Sequence, residues 1–299
     1  MTIDLVSLEK GLRVEFNKAM SGVLSGNAYA QLFDAVATVV PSTNNNEKYG
    51  FLGDVPVVKE WIGDKTYGAL EDYDYTITNK DWYSGIAIDR NEIEDDNLGA
   101  IPARIQTLVA ALRRYQGQLI ANLLVNGTTG TAYDSSAMYA NRTAPNDNLL
   151  SGTGITLATI AADIASMRAA MMKFQSDTGE VLGILLDTII VPPELEYVMR
   201  QAVTSTVDPA LTGNANANPI NSWIKNIIVL PNASDATDWY GACTTFPLRP
   251  FIFQNRKDPT PVLDEGSVKR NRTLEYSAEM RCNAGYGLPQ LTAKMVNTG

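Results

Sequence analysis

The chain contains no histidine. That excludes a Ser-His-Asp triad, a Cys-His dyad and an HExxH zinc site. Acid–base chemistry near neutral pH would fall to a shifted carboxylate, lysine or tyrosine. Cysteine is nearly as scarce. Cys243 and Cys282 stand far apart without CxxC spacing and read as two reduced, packed thiols. Charge is thin as well: Asp, Glu, Lys and Arg make up 19% of the 299 residues, against roughly 25% in ordinary soluble domains. A surface so poor in charge is commonly covered by something else. The 24 basic and 33 acidic residues leave a net charge of −9. This argues against a dedicated duplex-DNA binder, which clusters cations to displace counterions. No apolar run reaches about 18 residues, so no membrane-spanning helix and no membrane partner is expected. The first ten residues lack the basic start and apolar run of a signal peptide.

What the chain does have is core material. Hydrophobic residues are 45%, enough for a folded chain of about two domains at roughly 150 residues each. Leu5, Leu8, Leu12, Phe16 and Met20 lie on one helical face, predicting a helix over 5–20. The clearest element is 98–126. There Ile101, Ile105, Leu108, Leu112, Tyr115, Leu119 and Leu123 form one stripe, with Pro102 in the first turn and Gly127 after the end. The stripe puts Leu112 inside and leaves Gln116 for the solvent side. A further helix is predicted over 156–174 with Thr156 as N-cap. A short one opens at Pro193-Glu194. Strands are expected around Tyr73, Tyr75 and Ile77, from Ile86 to Ile88, and over 182–191, 226–230, 238–243, 250–254 and 272–281. Residues 41–50 and 207–222 read as turn and loop. The sum is an α+β chain with one over-long helix.

Charge is unevenly spread. Residues 54–97 hold 12 acidic and 4 basic residues, nearly the whole chain's excess. Either the segment is a solvated acidic surface or it reaches a basic partner. The basic residues of the C-terminal third, Arg256, Lys257, Lys269, Arg270 and Arg272, are candidates for that partner on a neighbouring copy.

Motifs for chemistry are nearly absent. Gly63-Asp-Lys-Thr66 lacks the upstream glycine of a P-loop. Asp72-Tyr-Asp74 and Glu94-Asp-Asp-Asn97 offer hard oxygens without the spacing of an EF-hand loop. No catalytic, cofactor or metal residue is assigned. A carboxylate-pair hydrolase is the one enzyme class left open. A large, low-charge chain with no site suits a protein whose product is an assembly.

Several stretches in order resemble the Mu-like phage major head subunit, the gpT-type major capsid protein. They are Glu47-Lys-Tyr-Gly-Phe-Leu-Gly53, Pro56, Lys59-Glu-Trp-Ile-Gly63, Tyr75-Thr-Ile-Thr-Asn-Lys80, Ile93-Glu-Asp-Asp96 and Asn283-Ala-Gly-Tyr-Gly-Leu288. Phe51 and Pro289 depart from the family pattern. The resemblance implies the Hong Kong 97 phage capsid fold. Residues 1–49 would form an N-terminal arm and helix, and 50–97 a two-stranded extended loop. Residues 98–139 would hold the peripheral domain's spine helix. Residues 140–262 would be mainly the axial domain, and 263–299 the return to the peripheral sheet. It further implies a non-enzymatic, cofactor-free subunit of pentamers and hexamers that tile an icosahedral shell around double-stranded DNA. Its partners would be itself, the portal, scaffold or protease, and decoration proteins of the same phage. Its place would be the virion, after assembly in the host cytoplasm. Assembly contacts would involve Lys59, Glu60 and Trp61, Glu94, Asp95 and Asp96, Leu112, and the basic residues named above. An acidic inner wall would let packaged DNA slide. The rival is an encapsulin-like compartment shell of the same fold.

Overall fold

The computed structural model describes residues 5–21, 27–50, 75–89, 100–207, 217–264 and 273–297. Helix α1 (Leu5–Ser21) buries Leu12 and Phe16, as its spacing predicts. Helix α2 (Ala28–Val36) has no counterpart in the sequence reading. Its start is fixed by Asn27, whose side chain accepts from the Tyr29 N–H at 2.9 Å. The chain turns extended at Ala37 and continues as β1 (Ala37–Pro41). Strands β2 (Asn46–Lys48), β3 (Thr76–Thr78) and β4 (Lys80–Asp89) follow, so 41–50 is not all turn.

Helix α3 (Ala100–Val125) has 26 residues, hence a length of about 39 Å. Ile105, Leu108 and Leu112 are buried along the expected stripe. In the C-terminal half burial spreads round the helix to Gln116, Ile120, Ala121 and Leu124. Gln116 is thus inside, only 5% exposed, and accepts from Arg113 at 3.3 Å. The cause is a second neighbour. Helix α2 crosses α3 at Gly117, where a β-carbon would collide with the Tyr29 carbonyl. The four-stranded sheet takes the other side, with Trp82 against Tyr115 at 4.8 Å.

The second half runs β5 (Leu149–Ser151), α4 (Leu157–Met172), β6 (Thr188–Val191), α5 (Glu196–Thr204), α6 (Ile220–Trp223), β7 (Asn226–Val229), β8 (Trp239–Ala242), β9 (Phe251–Asp264), β10 (Thr273–Tyr286) and β11 (Thr292–Val296). Thr156 caps α4, accepting from the Thr159 N–H. The apolar run 182–191 yields a strand only from Thr188. Strand β9 outruns its predicted 250–254 despite Pro259 and Pro261. Its partner β1 stops at Pro41 opposite Asn255. Among the described residues β9 has no strand on that side beyond this point, and at such an edge a missing N–H costs nothing.

One sheet runs β1-β9-β10-β4, with β1 and β9 parallel and the rest antiparallel. Helices α1, α2 and α3 pack on it in a core with Phe251, Phe253, Tyr276 and Met280. The second sheet runs β5-β11-β8-β6-β7. Of 263–299, therefore, β10 joins the first sheet and β11 the second. Alternation along β6 and β8 sends Ile189, Val191 and Trp239 into a core under α4 and α5, and Ile190 and Tyr240 into the first core. All four residues of β6 are buried, which is why this strand reads as a continuous apolar run.

Candidate functional site

Three of the sequence motifs meet at one place. Strands β2 and β3 pair antiparallel, Glu47 opposite Ile77, and the Tyr49 N–H extends the ladder to the Tyr75 carbonyl at 2.8 Å. The two described ends that flank 51–74, a stretch outside the described residues, therefore lie side by side at a single point. That point is fastened to both long strands. The Tyr49 hydroxyl donates to Gln254 on β9 at 2.9 Å, and the Tyr286 N–H donates to the Tyr75 hydroxyl at 2.7 Å. Gly285 lets Ile77 lie flat on β10, since a β-carbon there would come within 2.5 Å of the Ile77 side chain. Gly287 likewise passes the Pro250 carbonyl. Glu47 holds the preceding turn by accepting from the Ser42 hydroxyl and the Thr43 and Asn44 N–H groups. These bonds, the Asn44 backbone bond foremost, lower its pKa below the usual carboxylate range. Burial pushes the Tyr49 and Tyr286 hydroxyls up to about 12.

A second knot joins the two cores. Arg142 pairs with Asp134 at 2.9 Å and donates to Asn148 and the Met138 and Ala137 carbonyls. Asn148, 1% exposed, donates to the carbonyls of Met138, Pro289 and Thr292. The long segment between α3 and β5 has little regular structure, yet these bonds hold it against β11.

Along β4, β10 and β9 lies a trough of about 320 Å³ lined by Asp81, Trp82, Tyr83, Lys257, Glu279, Met280 and Arg281. Tyr83 is 82% exposed at its rim. Lys257 pairs with Glu279 at 3.4 Å and Arg281 with Asp81 at 3.2 Å. Of the residues expected to make assembly contacts, Lys257 lines this trough and Arg256 is exposed beside it on β9. Leu112 is buried in α3 at 3% exposure. Lys59, Glu60, Trp61, Glu94, Asp95, Asp96, Lys269, Arg270 and Arg272 lie outside the described residues. Sequence reasoning missed Tyr83, Glu279 and Arg281. The register of β4 against β10, Tyr83 opposite Glu279 and Asp81 opposite Arg281, is what brings them together. Among the described residues no three His, Cys, Asp or Glu side chains gather to hold a metal.

The model of the Mu-like prophage major head subunit gpT matches residues 5–158, 156–232 and 221–298. The chain belongs to this family. A head subunit of this type is a structural capsid protein of a phage or prophage. Among curated relatives, the Mu-like prophage FluMu major head subunit of Haemophilus influenzae is 27% identical over 295 residues, covering 97% of this chain and 73% of the relative. The major capsid protein of Escherichia phage Mu is 32% identical over 150 residues, 50% of this chain and 48% of that one. Among solved structures, a procapsid chain of bacteriophage JBD30 superposes with a TM-score of 0.58 at 24% identity, covering 98% of this chain and 75% of that chain. The likeness is one of fold, the phage capsid fold of the Hong Kong 97 type. The Tyr75–Lys80 and Asn283–Leu288 stretches of the gpT subunit are those that build the root described above.

Proposed function

We propose that this gpT-type subunit closes into pentamers and hexamers that tile an icosahedral shell around double-stranded DNA. The layer of α1, α2, α3 and the four-stranded sheet is the peripheral part. The five-stranded sheet with α4 and α5 is the axial part. The extended loop, expected over 50–97 and with 51–74 and 90–99 outside the described residues, is the part that a neighbouring copy receives. The observation that carries this reading is the family match along nearly the whole chain, with the family's own motifs forming the root on β2 and β3. Contacts that repeat head to tail close into rings. Each can be modest, because many are made at once. The charged trough at Tyr83 is a surface on which a neighbour's loop could lie. The portal, the scaffold or protease and decoration proteins are the expected partners, with assembly in the host cytoplasm before the virion forms. A compartment shell of the same fold is the rival, and the gpT match weighs against it.

Sedimentation of the purified chain tests the proposal. Closed particles of megadalton mass are expected, and negative-stain images should show empty heads. A stable species of 32.5 kDa under all assembly conditions would overturn it.

A further inference from the structure

Among the described residues the sheet edges of this subunit are guarded, with one exception. The five-stranded sheet ends in β5 and β7, strands of three and four residues. The four-stranded sheet ends on one side in β1, five residues closed by Pro41. Where β9 runs on past β1 it carries Pro259 and Pro261. Short strands and prolines are the usual means of stopping another chain from adding on. Strand β4 has neither. It is the outermost strand on the other side, ten residues long, and among the described residues nothing pairs with its outer edge. From Trp82 to Ile88 it holds no charge and no proline. Trp82, Tyr83, Ile86 and Ile88 are strong strand formers. The two faces of β4 are sorted. Asp81, Tyr83, Gly85 and Ala87 are exposed, whereas Trp82, Ser84 and Ile86 are half-buried and Ile88 is buried. A β-carbon at Gly85 would come within 3.1 Å of the Ser277 β-carbon on β10, so glycine suits the ladder inside the subunit and also leaves the outer face bare beside Tyr83.

We infer that β4 pairs antiparallel with β4 of a second copy about a twofold axis at Ser84, so that two four-stranded sheets become one. This rests on the head-subunit reading, which supplies the second copy, and adds a named contact to it. The register follows from the residues. With the axis at Ser84, Trp82 lies opposite Ile86 of the second copy, Tyr83 opposite Gly85, and Asp81 opposite Ala87. Directly opposed residues share a face, so the helices of both copies stay on one side of the joined sheet. Each Tyr83 ring lies over a glycine, and each Trp82 meets a β-branched partner, which is a favourable cross-strand pair. An axis at Gly85 would set Asp81 against Asp89, two like charges. An axis at Tyr83 would carry Ile88 past the end of β4 onto Thr78. Charge also favours a like copy. The ions beside the edge are paired within the subunit, Arg281 with Asp81 at 3.2 Å and Lys257 with Glu279 at 3.4 Å. Two such edges therefore approach without the repulsion that a net charge of −9 would otherwise bring. A neighbour's extended loop fits less well, since its residues 51–74 hold six acidic and two basic side chains and the cations here already have partners. A twofold contact closes on itself, unlike the head-to-tail contacts that build a ring. It therefore joins one ring to the next.

The test places one new thiol at a time in the full chain, since Cys243 and Cys282 are buried. Particles assembled from Ser84→Cys are treated with a short thiol-to-thiol crosslinker and run on a denaturing gel. A band at twice the 32.5 kDa subunit mass is expected. The unaltered chain and Gln106→Cys, exposed on α3, should not give it. Asp81→Cys and Ala87→Cys, both at exposed positions, carry the test if Ser84→Cys melts early. Neither should link alone, because residue 81 of one copy and residue 81 of the other lie about 20 Å apart along the strands. Mixed before assembly, the two should link. Particles in which Ser84→Cys stays monomeric, single variants that link as well as the mixture, or an equal band from Gln106→Cys overturn the pairing and leave the head-subunit reading standing. A neighbour's loop seated on β4 would give the first of these results. No particles from the unaltered chain under any assembly condition sinks the head-subunit reading. The crosslink is then read on concentrated subunits, where a Ser84→Cys dimer keeps the pairing and a monomer overturns it.

Discussion

The Tyr286 backbone N–H donates to the Tyr75 hydroxyl across 2.7 Å, and the Tyr286 hydroxyl donates in turn to the Leu123 carbonyl at 3.1 Å. One residue of β10 thus ties the root of the 51–74 stretch to the end of the spine helix α3. The first prediction follows from it. Tyr75→Phe keeps the ring and leaves the Tyr286 N–H without its acceptor, which costs about 1–3 kcal/mol. Urea unfolding of the free subunit should show that loss. Unchanged stability would mean that water replaces the hydroxyl.

Gly117→Ala should destabilise, although alanine is the better helix former by about 1 kcal/mol. The new methyl meets the Tyr29 carbonyl, which is backbone and cannot swing aside. Overpacking of this kind costs about 1–3 kcal/mol. A rise in melting temperature would show that α2 can shift away from α3 freely.

Leu112→Ala, at 3% exposure, should cost about 2–5 kcal/mol, and Leu112→Pro should be worse because it also breaks the helix. Assembly should suffer more than folding, since a small tilt of α3 recurs at every contact in the ring. The silent partner for this comparison is Gln106→Ala, which is exposed. Gln116→Ala would not serve, because Gln116 is buried. Equal particle yields from Leu112→Ala and Gln106→Ala would contradict the spine role of α3.

Stability should hold across neutral pH and fail in alkali. The chain has no histidine to titrate. Burial pushes the hydroxyls of Tyr49, Tyr133 and Tyr286 up to about 12 from an ordinary 10. Groups raised in the fold give stability that is whole below pH 10 and lost as pH rises toward 12. Melting temperatures read from pH 6 to pH 12 should stay level and then fall above about pH 10. A sharp fall between pH 6 and 8 would contradict this.

Cys243 and Cys282 are free and buried, and burial raises the Cys282 thiol to about 12. Thiol reagents at neutral pH should label the native subunit slowly, because thiolate is the attacking form. Reductant should leave the melting temperature unchanged. A drop of more than about 5 °C would mean a disulfide.

Much of this architecture is legible in the residues. The stripe from Ile105 to Leu112 and the Thr156 cap were plain, because each depends on neighbours within one or two turns. Helix α2 is harder to read: Tyr29, Leu32, Phe33 and Val36 do stand at helical spacing after Asn27, but the run is short, and Gly117, which receives Tyr29, is 88 positions away. The burial of Gln116 has the same origin. Strand β9 hid behind two prolines whose harmlessness depends on where β1 stops. The root on β2 and β3 was half visible: its motifs stood in the sequence, but nothing local showed that Tyr75 and Tyr286 touch. The trough at Tyr83 depends wholly on register.

Strand β6 has a further consequence. Ile190 belongs to the core beneath α3, while Ile189 and Val191, its neighbours on the same backbone, belong to the core beneath α4. A wall shared in this way leaves no plane along which the subunit could melt in halves. Loss of either core strips one face of the strand that floors the other. Calorimetry of the dispersed subunit should therefore give one heat-absorption peak whose van't Hoff and calorimetric enthalpies agree, and a shell built from such bricks would transmit strain from wall to rim without an internal fuse.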